Sequence, residues 1–439
     1  MPARARRGFA RASSPSRWAL AALATTFIGL APCVHAEVEP AAPAEAEAAG
    51  PSGMTGALGS YPFTRDGSGT AWQPDSSEHA GLHTMQGDWM LMGHALLNGV
   101  YDRQQGPRGD EDAFVSGMFM GAAQRALPGG DAFRLRAMLS PDPLMGKSGL
   151  PLLLASGETA NGTTPLVDRQ HPHDLVMELS ATYSHVLARA DSVFVYAALP
   201  GEPAFGPPAF MHRLSINDSP EPPISHHWLD STHISFGVVT VGWIHEAWKL
   251  EASRFRGREP DQFRYNLESG RLDSSAARLS WNPAATLSLQ VSWAQVTSPE
   301  QLFPEENQRK VSASVIYTRP LGDRAWWSTT AAWGRRSSEH GSLDAYALES
   351  AVRFDDAWAL FSRAERVAND ELVLIGGAPG PVYAVGKLSV GLVRDFRVAE
   401  HLKVGVGGLY AFNRVPAGLA AAYGDDPAGA MVFMRLLVD

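Results

Sequence analysis

The stretch Asp168-Arg169-Gln170-His171-Pro172-His173-Asp174 gathers two imidazoles and two carboxylates, and His226-His227 follows in a later segment with His212 and His233 near it. Imidazole and carboxylate together suit Zn(II), Cu(II) or Ni(II). Pro172 biases the residue before it toward extended backbone and leaves both imidazoles roughly on one side. His171, His173 and Asp174 could therefore share an ion, completed by Asp168, His226 or His227. Upstream, Met90, Met92 and His94 alternate along one segment, and Met118 and Met120 along the next; thioethers suit Cu(I). A copper or zinc ion bound at the loop cluster, or passed along a Met/His track, is one expectation. Against it stand the facts that loop histidines are often merely exposed, that methionine is a common gap filler, and that no fixed ligand spacing is met.

Nucleophilic catalysis finds less support. Ser184-His185, and His340 beside Ser337 and Ser338, could be imagined as a Ser/His pair on a lipid-hydrolysing or acyl-transferring rim. Residues adjacent on a strand point to opposite faces, so Ser184 and His185 cannot act together. No G-x-S-x-G elbow, phosphate loop or zinc-protease spacing occurs. The expectation is a protein without enzymatic activity.

The elements that carry these residues have a period of two. FRLRAMLS (133–140), SVFVYAAL (192–199), TLSLQVSWAQV (286–296), KVSASVIYT (310–318), GKLSVGLV (386–393) and LKVGVGGLYAF (402–412) place apolar residues at alternate positions, as strands with two unlike faces do. Tight connections built from turn formers appear at Pro128-Gly129-Gly130, Arg189-Ala190-Asp191, Asn282 to Ala285, Leu321-Gly322-Asp323, Asp355-Asp356 and Val398-Ala399-Glu400. Between them fall longer polar connections near 103–111, 142–171, 200–231, 257–270, 297–309, 335–342, 369–382 and 413–428. This rhythm runs from about residue 87 onward and gives about sixteen antiparallel strands.

Arg4, Arg6, Arg7, Arg11 and Arg17, then an apolar run from Trp18 to Ala31 and Val34-His35-Ala36, read as a secretory signal over 1–36. Arg6-Arg7-Gly8-Phe9 also resembles a twin-arginine start, although a basic leader explains the arginines equally well. Cys33, the single cysteine, lies inside the signal after Pro32, which departs from a lipoprotein box, so the mature chain is expected to lack disulfides and thiolate sites. Removing the signal takes five arginines and no acid, leaving 32 basic residues against 46 acidic ones and a formal charge of about −14. That balance argues against a nucleic-acid partner. No later apolar run is long enough for a transmembrane helix. Residues 37–82 open with EVEPAAPAEAEAAGPSG, which cannot bury a core, and are expected to form a flexible periplasmic leader whose second half, with Tyr61, Phe63 and Trp72, rests in or under a barrel mouth.

Aromatic residues (Trp89, Tyr101, Tyr183, Trp243, Trp281, Trp293, Tyr317, Trp326, Trp327, Trp333, Trp358 and Tyr410) fall mostly near strand ends, the level of lipid headgroups, with Tyr317 and Trp326 flanking one turn. A charged share of 19% is below the roughly 25% of soluble domains. Through hairpin rhythm and girdles, over roughly four-fifths of its length, the chain resembles bacterial outer-membrane porin-like β-barrels as a class. It departs from them in ending Leu436-Leu437-Val438-Asp439 where such barrels usually carry a terminal aromatic used by their assembly machinery. The resemblance implies a transmembrane antiparallel barrel over 83–439 in a Gram-negative outer membrane, with lipids, the assembly machinery and small solutes or ions as partners. If Phe133, Leu135, Ala137 and Leu139 face lipid, Arg134 and Arg136 point inward; the same logic turns Glu178, Glu349, Arg353, Arg363 and Glu365 to the lumen. Three readings stay open: a passive channel for small polar solutes or ions, a metal-binding or metal-transporting barrel, and a plugged or structural barrel. The oligomeric state is left open.

A closed hydrogen-bond ladder has no free edge and resists detergent. The protein should migrate differently on a gel before and after boiling; recovery from the soluble periplasmic fraction would contradict the barrel.

Overall fold

The computed structural model describes residues 55–78, 81–375 and 377–438. The expected signal sequence, with Cys33, and the first part of the leader lie outside them. Sixteen strands form one closed antiparallel wall: β2 (Trp89–Gln104), β3 (Glu111–Ala126), β4 (Ala132–Leu139), β7 (Val176–Ala188), β8 (Asp191–Ala198), β9 (Val238–His245), β10 (Trp248–Phe255), β11 (Ser274–Ala284), β12 (Leu287–Thr297), β13 (Asn307–Gly322), β14 (Ala325–Ser338), β15 (Gly341–Arg353), β16 (Trp358–Asn369), β17 (Tyr383–Ala399), β18 (Leu402–Arg414) and β19 (Ala428–Val438). Each pairs with its successor, and β19 closes on β2 from Val438↔Ala95 to Gly429↔Gln104. β1 (Leu82–Gln86) hairpins onto the start of β2, from Leu82↔Gly93 to Gln86↔Trp89, covering the part of β2 beyond the reach of β19.

The polarity of this wall is inverted relative to a soluble barrel. In β4, Arg134 and Arg136 are buried while Leu135 and Leu139 are exposed; in β11, Arg278 and Ser280 are buried and Leu279 and Trp281 exposed; in β17, Lys387 and Ser389 are buried and Val390 and Leu392 exposed. Such alternation leaves an apolar belt outside and ionised groups inside, an arrangement that is stable only when the outer medium is hydrocarbon. It excludes a dry-cored β-sandwich. Rings collect at the headgroup levels: Trp248 stacks on Trp281 at 4.8 Å and Tyr317 meets Trp327 at 5.6 Å. Trp326, expected to pair with Tyr317 in that girdle, instead points inward and donates its indole N–H to Glu78 at 2.8 Å. Alternation decides it: neighbours 326 and 327 must face opposite ways.

One end of the barrel carries tight turns and the other the longer loops. The long connection expected near 335–342 is absent. β14 and β15 pair without interruption to Ser338↔Gly341, and only Glu339-His340 turns the chain; polar serines on strand ends had looked like a loop. A further tight turn, at Glu246-Ala247, lacks turn-forming residues, and Glu246 adopts φ 52° to make it. The loop after β4 holds a hairpin of its own, β5 (Leu150–Thr159) and β6 (Pro165–Gln170). Residues 55–78, part of the stretch expected to be flexible, are packed: Leu58, Tyr61 and Trp72 are buried with Phe194 and Ile244, because an aromatic cluster and a charged turn both find partners on the wall.

Val241 lies mid-strand on the outer face of β9 and is half exposed. Val241→Arg should lower the unfolding free energy in phospholipid vesicles by about 2–4 kcal/mol, measured by denaturant titration; an unchanged midpoint would place this face away from lipid.

Candidate functional site

The lumen is the site, and three segments enter it. Residues 55–78 rise from the turn end. Residues 199–237, between β8 and β9, cross the middle, and the β5–β6 hairpin lies over them at the loop end. The first two meet where Ser68 Oγ accepts the Ala209 N–H at 2.8 Å. Inward charges of the wall meet charges on these segments. Asp66 pairs with Arg134 at 2.8 Å, and Arg213 of the crossing loop with Glu349 at 2.7 Å and with Asp230 of its own loop at 2.8 Å; Arg136 pairs with Glu178 of the neighbouring strand at 2.8 Å and donates to the Gly69 carbonyl at 2.9 Å. Asp218 takes Arg435 at 2.6 Å and Arg353 at 3.1 Å, Glu221 takes Lys387 at 2.5 Å, and Ser225 donates to Glu365 at 2.6 Å. Arg363 lies 3.4 Å from Glu349 and donates to the Glu221 carbonyl. Gly334 allows one close approach of the crossing loop to the wall, since a Cβ there would stand 2.4 Å from the Trp228 carbonyl oxygen.

Every residue assigned to the lumen from the sequence (Arg134, Arg136, Glu178, Glu349, Arg353, Arg363, Glu365, Met90, Met92, His94, Met118 and Met120) lies on the inward face of its strand. Most of the charged ones hold the crossing loop or residues 55–78 instead of lining open water. An apolar layer backs this network: Leu152, Leu153 and Leu154 of the hairpin are fully buried with Phe210, Ile216, Ile224 and Trp228 of the crossing loop. Beneath it, toward the turn end, remains a cavity of about 150 Å³. Met90, Met92, His94, Met118, Met120, Met211 and His212 line one side, and Arg134, Arg136, Glu178, Asp218, Arg353 and Arg435 are also in its lining.

Above the cavity five histidines pack ring against ring. His173 and His233 have centroids 5.2 Å apart, His226 and His233 5.1 Å, His226 and His227 5.5 Å, and His171 and His227 5.8 Å. Phe210 stacks on His173 at 6.3 Å. The backbone explains the convergence. His226 and His233 lie on two consecutive helical turns, His226–Leu229 and Ser231–His233, and Asp230 at their junction holds both rings through its carboxylate and carbonyl oxygens, while Pro172 keeps His171 and His173 extended. Burial, then the neighbouring His226 and His173, pushes the His233 imidazole well below its usual range; burial and His226 do the same to His227, and burial and Arg264 to His171. Burial would raise the Asp230 carboxyl, but the His226 hydrogen bond and Arg213 outweigh it and hold it low.

Of the six residues proposed as ligands from the sequence, His173 and His226 share one cluster and His171 and His227 its neighbour. Asp174 is buried 3.6 Å from Arg264, its carboxyl pushed up to about 7 by burial. Asp168 stands apart: at φ 59° it accepts the Leu154 N–H, pairs with Arg108 at 3.0 Å and accepts from Tyr423, fastening the hairpin. Sequence reasoning missed His233 as a member, and also Asp142, Glu158, Glu259 and Glu300. A helical reading of His226-His227-Trp228-Leu229-Asp230-Ser231-Thr232-His233 would have found the first of these. The carboxylates come from separate loops and carry no local signal. Ser184 is buried and His185 exposed, on opposite faces of β7.

The chain matches no protein-family model and no curated relative. Among solved structures it is similar to Salmonella typhi OmpF in complex with daunomycin, with 11% identity and a TM-score of 0.51 over 81% of this chain and 100% of that one. Pseudomonas putida OprB matches with 12% identity and a TM-score of 0.46, over 79% and 94% of the two chains. An anion-selective porin from Comamonas acidovorans matches with 9% identity and a TM-score of 0.45, over 80% and 99%. The likeness to OmpF shows the fold, that of the porin-like outer-membrane barrels, and with the apolar belt on its closed sixteen-stranded wall it places the chain in a Gram-negative outer membrane.

Arg213 has a side-chain exposure of 1% and bridges two carboxylates. Arg213→Ala leaves buried charges uncompensated, at a cost of about 3–5 kcal/mol, and should expose residues 199–237 to protease while the wall stays heat-modifiable. Arg335→Ala, removing an exposed pair with Asp344, should leave protease resistance unchanged.

Proposed function

We propose that the protein is a porin-like channel whose lumen is narrowed by its own loops and which passes small polar solutes or ions. The observation that carries this reading is the ionised inward face of the wall. Arg278 and Glu251, Lys249, Arg363 and Glu349, and Lys387 line it through much of its depth, all nearly fully buried. Strand charges inside a membrane barrel act as the selectivity surface of a polar path. The 150 Å³ cavity at the turn end, with five arginines in its lining, fits such a path. The crossing loop supports small solutes over large ones, because its apolar layer and ion pairs fill the middle of the lumen.

A plugged structural barrel is the competing account, and planar-bilayer recording separates the two. The refolded chain should give small steady unitary currents, and a variant with 208–229 replaced by a short Gly/Ser linker should give currents severalfold larger. Silence from both proteins, each still heat-modifiable, would reject the channel.

A further inference from the structure

One imidazole of the crossing loop looks onto two carboxylates without bonding to either. His227 is buried, and neither of its ring nitrogens has a hydrogen-bond partner among the described residues. The Nε2 edge of the ring is packed on Gly157 of the β5–β6 hairpin, where a Cβ would stand 2.6 Å from it, while Nδ1 lies 3.8 Å from Glu259 Oε1. If Nε2 carries the proton, the Nδ1 lone pair faces an anion; if Nδ1 carries it, the hydrogen falls short of its acceptor and the Nε2 lone pair is buried unused. Glu259 is in the same condition, since both of its carboxylate oxygens are buried without a hydrogen bond among the described residues. Lys310 Nζ comes only to 3.8 Å from it and donates to Ser231 Oγ at 2.9 Å instead. Glu300 completes the group: His227, Glu259 and Glu300 each bring a ligand atom within 4.8 Å of the others.

The outer loops hold the two carboxylates together. Glu259 donates its N–H to the Pro299 carbonyl at 3.1 Å, and Arg258 donates to the Ser298 carbonyl at 3.0 Å, which stitches the loop after β10 to the loop after β12. Burial, then the Glu259 carboxylate, pushes the Glu300 carboxyl well above its usual range. Arg336, which acts against that rise, is itself taken by Asp370 at 2.9 Å and Glu371 at 3.0 Å. Two carboxylates fixed side by side away from water call for a proton or a cation between them.

We propose that His227, Glu259 and Glu300 bind one divalent transition-metal cation, Zn(II), at the loop end of the lumen. Zinc accepts imidazole and carboxylate donors at about 2.0–2.2 Å, and ligands at that range on a distorted tetrahedron stand roughly 3.3–3.9 Å apart. The 3.8 Å between His227 Nδ1 and Glu259 Oε1, too long for a hydrogen bond, is such a separation. The two charges of the ion balance the two carboxylates, and its three ligands come from three separate loops, so the ion fastens the crossing loop to both outer ones. The site binds whether or not the barrel conducts, so its test is equilibrium binding and not current.

The full chain, refolded in detergent and stripped with chelator, is titrated with Zn(II) by calorimetry, and one tight equivalent is expected. Losing a ligand should exceed the about 10–100-fold that loss of an outer hydrogen-bond partner costs, so His227→Ala, Glu259→Gln and Glu300→Gln should each weaken binding by more than about 100-fold. Should His227→Ala lose heat-modifiability, the two glutamine variants carry the test, because they keep the side-chain shape and remove a like charge. His173→Ala, in the other half of the histidine cluster, and His185→Ala, which alters an exposed ring, should bind as the parent does. No stoichiometric binding by the parent would overturn the proposal in favour of a proton shared by the carboxylates. Equal affinity in the parent and the folded glutamine variants, or loss of binding in His173→Ala alone, would overturn it as well.

Discussion

Everything in this molecule follows from one requirement, that no backbone N–H or C=O may face hydrocarbon unpaired. Sixteen strands meet it by closing β19 on β2, and β1 extends the pairing along the stretch of β2 that β19 does not reach. Closure then separates two environments. The strand period of two delivers Leu, Val and Trp to one side and Arg, Lys, Glu, Ser and Thr to the other, and the surrounding lipid decides which side is which.

The charges so placed create the second layer of structure. A buried guanidinium is costly unless it is paired; some partners stand on a neighbouring strand, as Glu178 does for Arg136 and Glu251 for Arg278, and others come from segments outside the wall. Arg213 on the crossing loop answers Glu349 on β15; Asp66 below answers Arg134 on β4; Asp218 answers both Arg353 and Arg435. The wall and the plug are therefore specified together. Replacing such a pair by apolar residues can be energetically neutral, so the many pairs here act more to fix the register of the loop against the wall than to add stability. That fixed register lets His233, packed on His226 of its own loop, meet His173 from another with Nε2 atoms 3.2 Å apart.

A porin-like wall and a tightly packed interior favour different permeants. The wall turns ionised groups inward, whereas Leu152–Leu154, Phe210 and Trp228 fill the middle of the lumen with apolar volume. Side chains of changing character fill the lumen: thioethers toward the turn end, imidazoles in the middle, and imidazole with carboxylate on the loop side.

Much of this was legible in the chain. Alternation, tight turns such as Pro128-Gly129-Gly130, and a low charged share determined the barrel, its strand number and the inward direction of Arg134, Arg136, Glu178 and the methionines, because those properties depend only on local period and on the medium outside. His171, His173, His226 and His227 stood out as donors for the same reason, being local motifs. The sequence pointed to Tyr61, Phe63 and Trp72 at the barrel mouth but did not determine which wall residues hold residues 55–78, that Trp326 turns inward to Glu78, or that the connection at 335–342 is two residues long. Nor did it show that Asp168 fastens a hairpin while His233, Asp142 and Asp230 complete the histidine cluster. Those outcomes rest on contacts such as Asp66 with Arg134 and His173 with His233, between residues far apart in the chain. Closing such contacts costs loop entropy that only the assembled lumen recovers, so tertiary structure alone decided them.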